Sequence, residues 1–350
     1  MSNLQALRWT QNGVKRILKL LPNGRIGILS DEMLHDIKQQ SDEWLNKWFS
    51  MSPQEKRGLQ AKEERKDITT SQLIQWETVI NGKNGAIPIT VCKPTQDKVR
   101  PCVIYIHGGG WCTGSAAHEQ NACRYLAEQA DALTINVEYR LAPENQWPKG
   151  FDDCWDAVCY AYNNAEALSI DRDRIVVSGD SAGGNLAALC SHRDRNENTG
   201  MIKGQVLYYA AVAVGSAYEI EGYEGDLDDY VYDDSQKELI EPRIKLMLSS
   251  REGGKPVDGY LPDGINCKTP AVSPLWDINF SNLPQTLLIT AQYDGLTQQN
   301  RLYANKLASA GVDVTLMNYC GVAHGFIGRL GHYPQTDDSL REFAAFVRDL

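Results

Sequence analysis

The fold is decided by residues 174–190, which read RIVVSGDSAGGNLAALC. The β-branched residues at the start of this stretch are typical of a buried strand, and the alanines and leucines at its end are typical of a helix. Ser181 stands where the predicted strand becomes the predicted helix. Gly179 and Gly183 flank it and allow the sharp turn that lifts a serine hydroxyl above the edge of a sheet. The amides of the first helical turn then face the serine, which suits a reaction that develops negative charge on oxygen.

The order of elements around this turn predicts a mostly parallel sheet. From about residue 85 onward, apolar strand-like runs alternate with helix-like runs, as expected for strands joined by helices on both faces of a sheet. The predicted strands are residues 102–106, 133–137, 175–177, 206–209, 286–290 and 314–317. The predicted helices lie near residues 118–130, 150–167, 183–193, 298–311 and 337–349.

Two polar residues that follow later strands are candidate partners of Ser181. A serine hydroxyl is a poor nucleophile at neutral pH until an imidazole accepts its proton. Among the six histidines, His324 is the strongest candidate, because it follows the last predicted strand and is carried to the carboxyl edge of the sheet, where ligands bind. Asp294 follows the preceding strand and can hold the imidazole in one tautomer. Asp277 is a rival, but it precedes its strand rather than following it.

Three consecutive glycines, Gly108 to Gly110, follow the first strand of the predicted sheet. Backbone without side chains can turn its amides inward, and a tetrahedral oxyanion needs such donors at hydrogen-bond distance. A phosphate-binding loop is excluded, because neither GK[ST] nor GxGxxG is present. We assign the oxyanion hole to the amides of Gly109, Gly110 and Ala182, and we expect His107 to brace the loop by hydrogen bonds.

The composition disfavours several other classes of protein. The net charge of -10 repels nucleic acid and anionic membrane surfaces. The nine cysteines are odd in number, scattered and never arranged as CxxC, which favours buried thiols in a reducing cytoplasm over a metal or redox site. The sequence has no secretory signal and no apolar run of transmembrane length. We therefore predict a cytoplasmic protein with no metal site, no nucleic-acid partner and no stable membrane insertion.

Two stretches break the alternation of strands and helices. Residues 1–65 are charge-rich and predicted to be helical, and the apolar spacing within residues 1–21 favours a helix packed on its own protein over one on a membrane surface. Residues 212–268 form an acidic insertion that does not match an EF-hand loop, so we expect a solvated loop. Its acidic residues are Glu219, Glu221, Glu224, Asp226, Asp228, Asp229, Asp233 and Asp234.

Five short motifs resemble, in their order, those of the hormone-sensitive lipase family of α/β-hydrolases. They are residues 107–111 (HGGGW), 139–144 (YRLAPE), 179–184 (GDSAGG), 294–296 (DGL) and 324–326 (HGF). The match spans about residues 80 to 350, and the motifs are far more specific together than singly. The resemblance implies an α/β-hydrolase fold with a helical cap, hydrolysis of small, rather apolar esters, and no cofactor. Gly295, where family members often have proline, and the acidic insertion depart from the family pattern.

These observations predict a serine carboxylesterase that acts on small esters with short to medium acyl chains. Ser181 is the expected nucleophile, His324 the general base and Asp294 the residue that orients it, and the reaction passes through an acyl-enzyme. Trp111 and Phe326 flank the motifs and are candidate walls of the substrate pocket, although large aromatic residues lie in cores more often.

The predicted domain organisation has a cap region and a catalytic α/β-hydrolase domain. Residues 1–65 and 212–268 are assigned to the cap, and residues 66–211 and 269–350 to the catalytic domain. Two other functions stay open on the same fold, an amidase or deacetylase that acts on N-acyl substrates and a non-catalytic protein that binds small molecules. The expected partner is a small-molecule ester, and assembly into a homodimer is compatible with the sequence.

Overall fold

The computed structural model describes residues 4–39, 47, 50–63, 65–215, 217–223, 227, 230–249 and 259–350. Within these residues the strands are β1 (Ala6–Gln11), β2 (Val14–Lys19), β3 (Leu73–Gly82), β4 (Gly85–Pro94), β5 (Arg100–Ile106), β6 (Leu133–Val137), β7 (Ile170–Asp180), β8 (Gly204–Tyr208), β9 (Gln285–Tyr293) and β10 (Val314–Ala323). The helices are α1 (Asp31–Gln39), α2 (Pro53–Gln60), α3 (Ala116–Ala130), α4 (Lys149–Asn163), α5 (Ala165–Leu168), α6 (Ala182–Glu197), α7 (Lys237–Ser249), α8 (Thr297–Ser309) and α9 (Pro334–Asp349).

The strands form one sheet in the order β1-β2-β10-β9-β8-β7-β5-β6-β4-β3. Neighbours from β2 to β6 in this order are parallel, whereas β1, β4 and β3 pair antiparallel at the two edges. Every residue of β5, β6 and β8 is buried, as expected for parallel strands covered by helices. The six strands predicted from the sequence all lie in this parallel centre, so the predicted mostly parallel sheet is confirmed.

The loops that follow β7, β9 and β10 open at the same edge of the sheet, because parallel strands share one direction. Ser181 follows β7 directly, Asp294 follows β9 and His324 follows β10. The topology therefore brings together three residues that are far apart in the sequence.

The N-terminal segment forms a hairpin, so the helix predicted within residues 1–21 is wrong. β1 and β2 pair across Asn12 and Gly13, which have positive φ angles of 53° and 77°. An Asn-Gly pair at such angles is typical of a two-residue hairpin turn. β2 then pairs with β10, and Val14 becomes fully buried. This pairing outweighs the local helical spacing, and residues 6–19 extend the central sheet.

A second hairpin, formed by β3 and β4, extends the opposite edge of the sheet. The sequence pattern did not predict β3. Most residues of this edge strand are partly or fully exposed, so its apolar residues do not follow a clear alternation.

The first segment and the acidic insertion pack together above the ends of β9 and β10. They share one apolar cluster, whose buried members are Leu29, Ile37, Tyr230, Ile240, Ile244, Tyr293 and Ala323. The cluster joins residues of α1 and α7 to the last residues of the two strands. Both segments that fell outside the alternating pattern thus cover the edge of the sheet where Asp294 and His324 lie.

The insertion is helical in part and not a loop throughout. It contains α7, and Asp233 caps a short 3₁₀ helix by accepting a hydrogen bond from the Ser235 amide at 2.9 Å. The predicted acidic residues Glu224, Asp226, Asp228 and Asp229 lie outside the described residues.

A buried ion pair connects the N-terminal hairpin to α9. Lys19 Nζ lies 2.7 Å from Asp338 Oδ2, and only 1% of each side chain is exposed. The Tyr319 hydroxyl donates to Asp338 Oδ2 at 2.9 Å, and the Leu4 amide donates to Oδ1 at 3.2 Å. Glu342 is a second ion-pair partner of Lys19. These contacts offset the loss of hydration that burial imposes on the charges.

We expect Asp338→Asn to lower the free energy of unfolding, because it leaves the buried Lys19 with less compensating charge. Breaking a buried pair costs up to about 3–5 kcal/mol. Asp313→Asn is the matched control. Asp313 pairs at 2.7 Å with Lys15, which lies in β2 like Lys19, but the side chains of Asp313 and Lys15 are 49% and 60% exposed. That substitution should cost less than about 1 kcal/mol. Denaturant unfolding measures both variants, and equal losses would contradict the explanation.

Candidate active site

Ser181 lies in a strained turn between β7 and α6. Its backbone angles are φ 54° and ψ −115°, a combination that non-glycine residues rarely adopt. A Cβ atom on Gly179 would lie 2.5 Å from the Gly183 and Ile106 carbonyl oxygens, and one on Gly183 would lie 2.0 Å from that of Ile106. The two glycines are therefore required by the close approach of α6 to β5 and β7.

The three predicted residues are joined by hydrogen bonds. His324 Nε2 lies 2.9 Å from Ser181 Oγ, and His324 Nδ1 lies 2.7 Å from Asp294 Oδ2. Asp294 is fully buried, and its other oxygen accepts a hydrogen bond from the Leu296 amide at 2.8 Å. The Tyr230 hydroxyl donates to the Asp294 carbonyl at 2.9 Å, which connects the insertion to this loop.

The environment of His324 favours its protonated form. Burial alone would lower the pKa of His324, but the charge and the hydrogen bond of Asp294 raise it, and the charge of Asp180 adds to this effect. The pKa of His324 is therefore above its ordinary value. This arrangement allows the imidazole to accept a proton and to hold it next to a buried carboxylate.

The glycine loop after β5 forms a tight turn beside the serine. Gly109 and Gly110 have positive φ angles of 120° and 60°. The Gly109 carbonyl accepts hydrogen bonds from the Cys112 and Thr113 amides at 3.2 and 2.9 Å. A Cβ atom on Gly109 would lie 2.1 Å from the Thr113 carbonyl oxygen, so this position requires glycine.

His107 braces this loop. Its Nδ1 lies 2.8 Å from the Gly108 carbonyl oxygen, and its ring stacks on Tyr139 at a centroid distance of 4.3 Å. The Tyr139 hydroxyl donates to the His107 carbonyl at 3.0 Å. Burial lowers the pKa of His107 to about 4, so its ring is neutral at physiological pH.

Asp180, to which the sequence analysis gave no role, joins the nucleophile turn to the glycine loop. Its Oδ1 accepts hydrogen bonds from the Gly108 amide at 2.8 Å and from the Tyr105 hydroxyl at 3.1 Å. Burial and the charge of Glu119 raise the pKa of Asp180 above its ordinary range. An acidic residue at the end of the buried run 175–180 of β7 is a signal that could have identified it, because a buried carboxylate needs hydrogen-bond donors.

The two predicted pocket walls have different surroundings. Trp111, with a φ of 61°, stacks on Tyr260 of the insertion at 4.3 Å. Phe326 is 2% exposed and contacts the ring of Tyr209 at 5.6 Å, and Tyr209 in turn contacts the ring of His324 at 4.7 Å. Phe326 thus packs in the core on the Tyr209 side of His324.

Asp277, the rival carboxylate, lies in a different network. It accepts hydrogen bonds from His192 Nδ1 at 2.8 Å and Arg195 Nη2 at 2.6 Å. His192 Nε2 lies 3.0 Å from the Tyr303 hydroxyl. Asp277 therefore has a buried histidine partner of its own and does not contact His324.

Comparisons with known proteins agree with this arrangement. A family model described as the alpha/beta hydrolase fold matches residues 103–328, more than half of the chain. The chain belongs to this family. The predicted resemblance to the hormone-sensitive lipase family of α/β-hydrolases is thereby confirmed. Ser181, Asp294 and His324 occur in that order along the hydrolase chain.

Several relatives of this α/β-hydrolase are esterases. The arylesterase of Saccharolobus solfataricus is 33% identical, with 69% of this chain and 73% of the relative covered. The carboxylesterase NlhH of Mycobacterium tuberculosis is 30% identical, with coverages of 75% and 79%. A solved fungal esterase from Rhizomucor miehei is 29% identical and superposes with a TM-score of 0.76, covering 93% of this chain and 97% of that one.

The described residues contain neither a metal-binding cluster nor a membrane-spanning helix. Among them, no group of three or more His, Cys, Asp or Glu side chains is placed to hold a metal ion. None of the helices in the described ranges is both long enough and apolar enough to cross a bilayer.

We expect the acid limb of the kcat/KM profile of this hydrolase to have its midpoint above pH 6.5. Only neutral His324 can accept a proton, and a pKa raised above the ordinary value of 6.5 means that the neutral form is lost at a higher pH. Initial rates with a non-ionising ester measure the profile, and recovery of activity after incubation at each pH excludes unfolding. A flat acid limb, or one centred below pH 6.5, would contradict this assignment.

We expect Asp180→Ala to lower kcat by tenfold or more, because the buried Gly108 amide loses its acceptor at a cost of about 1–3 kcal/mol. Asp180→Asn keeps an acceptor oxygen at the same place and should retain most of the activity. Steady-state rates and circular dichroism of both variants test this expectation. An alanine variant that is folded and as fast as the wild type would show that the bond to Gly108 has no effect on the reaction.

Proposed function

We propose that this α/β-hydrolase is a serine carboxylesterase. The observation that carries the proposal is the pair of hydrogen bonds, 2.9 Å from His324 Nε2 to Ser181 Oγ and 2.7 Å from His324 Nδ1 to Asp294 Oδ2. A nucleophile, a base and a carboxylate in this order are the parts that acyl transfer requires. The esterase relatives support ester hydrolysis as the reaction.

In the proposed acylation step, Ser181 Oγ attacks the carbonyl carbon of the ester while its proton moves to His324 Nε2. The carbonyl oxygen becomes a tetrahedral oxyanion, and Asp294 stabilises the imidazolium that has formed. When the intermediate collapses, the bond to the alcohol oxygen breaks and His324 returns the proton to the leaving alcohol. The acyl group remains on Ser181.

Deacylation repeats these proton transfers with water. His324 accepts a proton from a water molecule, which attacks the acyl-enzyme, and the second tetrahedral intermediate releases the carboxylic acid and restores Ser181. The amides of Gly109, Gly110 and Ala182 would stabilise the oxyanion in both steps. Removal of one such donor typically costs about 10²–10³ in kcat, so the geometry of the glycine loop should contribute substantially to the rate.

The proposed substrates are small esters with short to medium acyl chains. Trp111 of the glycine loop stacks on Tyr260 of the insertion, and both are buried. This contact closes the space beside the glycine loop with apolar rings, which supports an acyl site of limited size. We further propose that α1, α2 and residues 212–268 form the cap over a catalytic domain of residues 66–211 and 269–350, to which β1 and β2 are added. A reducing cytoplasm is the proposed compartment.

The test is hydrolysis of p-nitrophenyl esters of graded acyl length by the wild type and by Ser181→Ala. We expect the wild type to prefer short to medium chains and the variant to lose about 10⁴–10⁶ in kcat, as in other serine hydrolases whose nucleophile is removed. Ser191→Ala is the matched control. Ser191 lies in α6, and its hydroxyl donates to the Ala187 carbonyl of its own helix at 3.3 Å, so this variant should remain active.

Other outcomes would assign other functions. Equal hydrolysis by the wild type and Ser181→Ala would exclude Ser181 as the nucleophile. A wild type that is inert on all esters but cleaves N-acyl anilides would assign an amidase. Inertness on both substrate classes would favour a binding protein.

A further inference from the structure

We propose that Arg57 of the cap helix α2 is a positioning residue for the reaction, because its guanidinium holds the peptide groups that orient the Gly110 amide. The inference rests on the proposed function, in which that amide stabilises the oxyanion. The inference goes beyond that function, because it means that the position of α2 affects the rate of the chemical step.

Helix α2 is held in place by polar contacts. None of its residues is fully buried, and its first turn is closed by reciprocal hydrogen bonds between Ser52 and Glu55. Gln60, its last residue, accepts a hydrogen bond from the Gly114 amide at 3.1 Å. An amphipathic helix without a buried face gains little from apolar packing, so its side-chain contacts decide where it lies.

The guanidinium of Arg57 contacts two neighbouring loops at once. Its Nε donates to the Cys112 carbonyl at 2.7 Å, and its Nη2 donates to the Ala142 carbonyl at 2.6 Å. The Ala142 amide in turn donates to the Trp111 carbonyl at 3.0 Å. A planar guanidinium can make several such bonds with a fixed relative geometry, which an ammonium cannot.

Glu144 fixes the other side of the guanidinium. Arg57 Nη1 lies 3.0 Å from Oε1 and Nη2 lies 3.0 Å from Oε2, and Gln54 donates to Oε1 at 2.7 Å. The hydrogen bonds from Arg57 hold the pKa of Glu144 at about 2. The carboxylate is therefore charged over the whole working range of pH and keeps Arg57 directed at the two carbonyls.

The hydrogen bonds of Arg57 continue through the backbone to Gly110. A trans peptide group is planar, and its C=O and N–H point in opposite directions. Arg57 holds the carbonyl of the Cys112–Thr113 peptide, and the Thr113 N–H of the same peptide donates to the Gly109 carbonyl at 2.9 Å. The Gly109 carbonyl belongs to the same peptide group as the Gly110 N–H. Arg57 therefore helps to set, through one intervening peptide, the direction of the Gly110 N–H, together with the Cys112 amide and the Thr113 hydroxyl, which donate to the same Gly109 carbonyl at 3.2 and 2.9 Å.

The same chain also strengthens the Gly110 amide as a donor. Hydrogen bonds from a charged group are roughly twice as strong as neutral ones, and each bond in a chain polarises the next. The positive charge of Arg57 withdraws electrons from the first carbonyl, and the effect reaches the Gly110 N–H through the Gly109 carbonyl. The contribution is greatest in the tetrahedral intermediate, when the oxyanion carries full charge.

The test compares Arg57→Ala and Arg57→Lys with the wild type on a short p-nitrophenyl ester. We expect kcat of the alanine variant to fall by about tenfold to a hundredfold and KM to change by less than about threefold. The loss in kcat should be smaller than the loss of about 10²–10³ that follows removal of an oxyanion donor, because the Gly110 amide is still present. The alanine variant should bind a trifluoromethyl ketone, which adds to Ser181 and forms an oxyanion, more weakly by the same factor as the fall in kcat. The lysine variant should be intermediate, since an ammonium reaches one carbonyl only.

Chemical rescue separates positioning from a general loss of stability. Millimolar guanidinium should restore a part of kcat in Arg57→Ala. Arg195→Ala is the matched control, because Arg195 likewise bonds a backbone carbonyl and a carboxylate, those of Asn279 and Asp277, within another network. It should be less stable to heat but show neither the loss of ketone affinity nor the rescue.

Three results would overturn the inference. They are a wild-type kcat in a folded Arg57→Ala variant, a loss of kcat without a loss of ketone affinity, and equal kinetic losses in Arg195→Ala. If the alanine variant does not fold, Arg57→Lys and Glu144→Gln, which keep a cation at the site, give the same kinetic comparison. The kinetic comparison uses only esters whose hydrolysis Ser181→Ala abolishes. Hydrolysis that survives Ser181→Ala would reject the proposed function, whereas the three results above would reject only the role of Arg57.

Discussion

The close approach of three backbone segments at Ser181 is the constraint on which the rest of the structure depends. The carbonyl of Ile106 at the end of β5 lies where any side chain on Gly179 or Gly183 would be, so β5, β7 and α6 meet with almost no space between them. This contact sets the distance between Ser181 and the glycine loop, because the loop begins directly after Ile106 at the end of β5. Asp180 then adds a buried hydrogen bond between the same two segments.

The parallel sheet brings the other residues of the site to Ser181. Since β7, β9 and β10 end at one edge, residues 181, 294 and 324 need only follow their strands to come within hydrogen-bond distance. The proposed cap adds contacts to this edge of the sheet, through Tyr230 to the loop of Asp294 and through Arg57 to the glycine loop. Both the loop of Asp294 and the glycine loop are thus held partly by segments outside the sheet.

The sequence predicted the parts of the molecule in which local pattern and tertiary environment agree. The central strands are apolar because both of their faces are buried, and Asp294 and His324 were recognisable because they directly follow such strands. The pattern failed for β1 and β2, whose apolar spacing also fits a helix and whose pairing with β10 lies about three hundred residues away along the chain.

Residues that act through tertiary hydrogen bonds left little trace in the sequence. Arg57 lies in a polar helix, and its partners Cys112 and Ala142 accept through backbone oxygens, which every residue type possesses. The position of Phe326 was equally hard to predict, because an aromatic residue next to a motif can face either the substrate or the core. In the structure its ring packs against that of Tyr209. Side-chain type alone does not specify such contacts.

The contacts between the proposed cap and the sheet also limit how this hydrolase can be engineered. The proposed cap is an attractive module to exchange, because it packs above the edge of the sheet where Asp294 and His324 lie. A complete exchange would, however, also remove two contacts with the site: that of Arg57 with the glycine loop and that of Tyr230 with the loop of Asp294. A chimera that keeps these two side chains and their partners, and varies only the surface between them, would preserve the contacts that hold the glycine loop and the loop of Asp294.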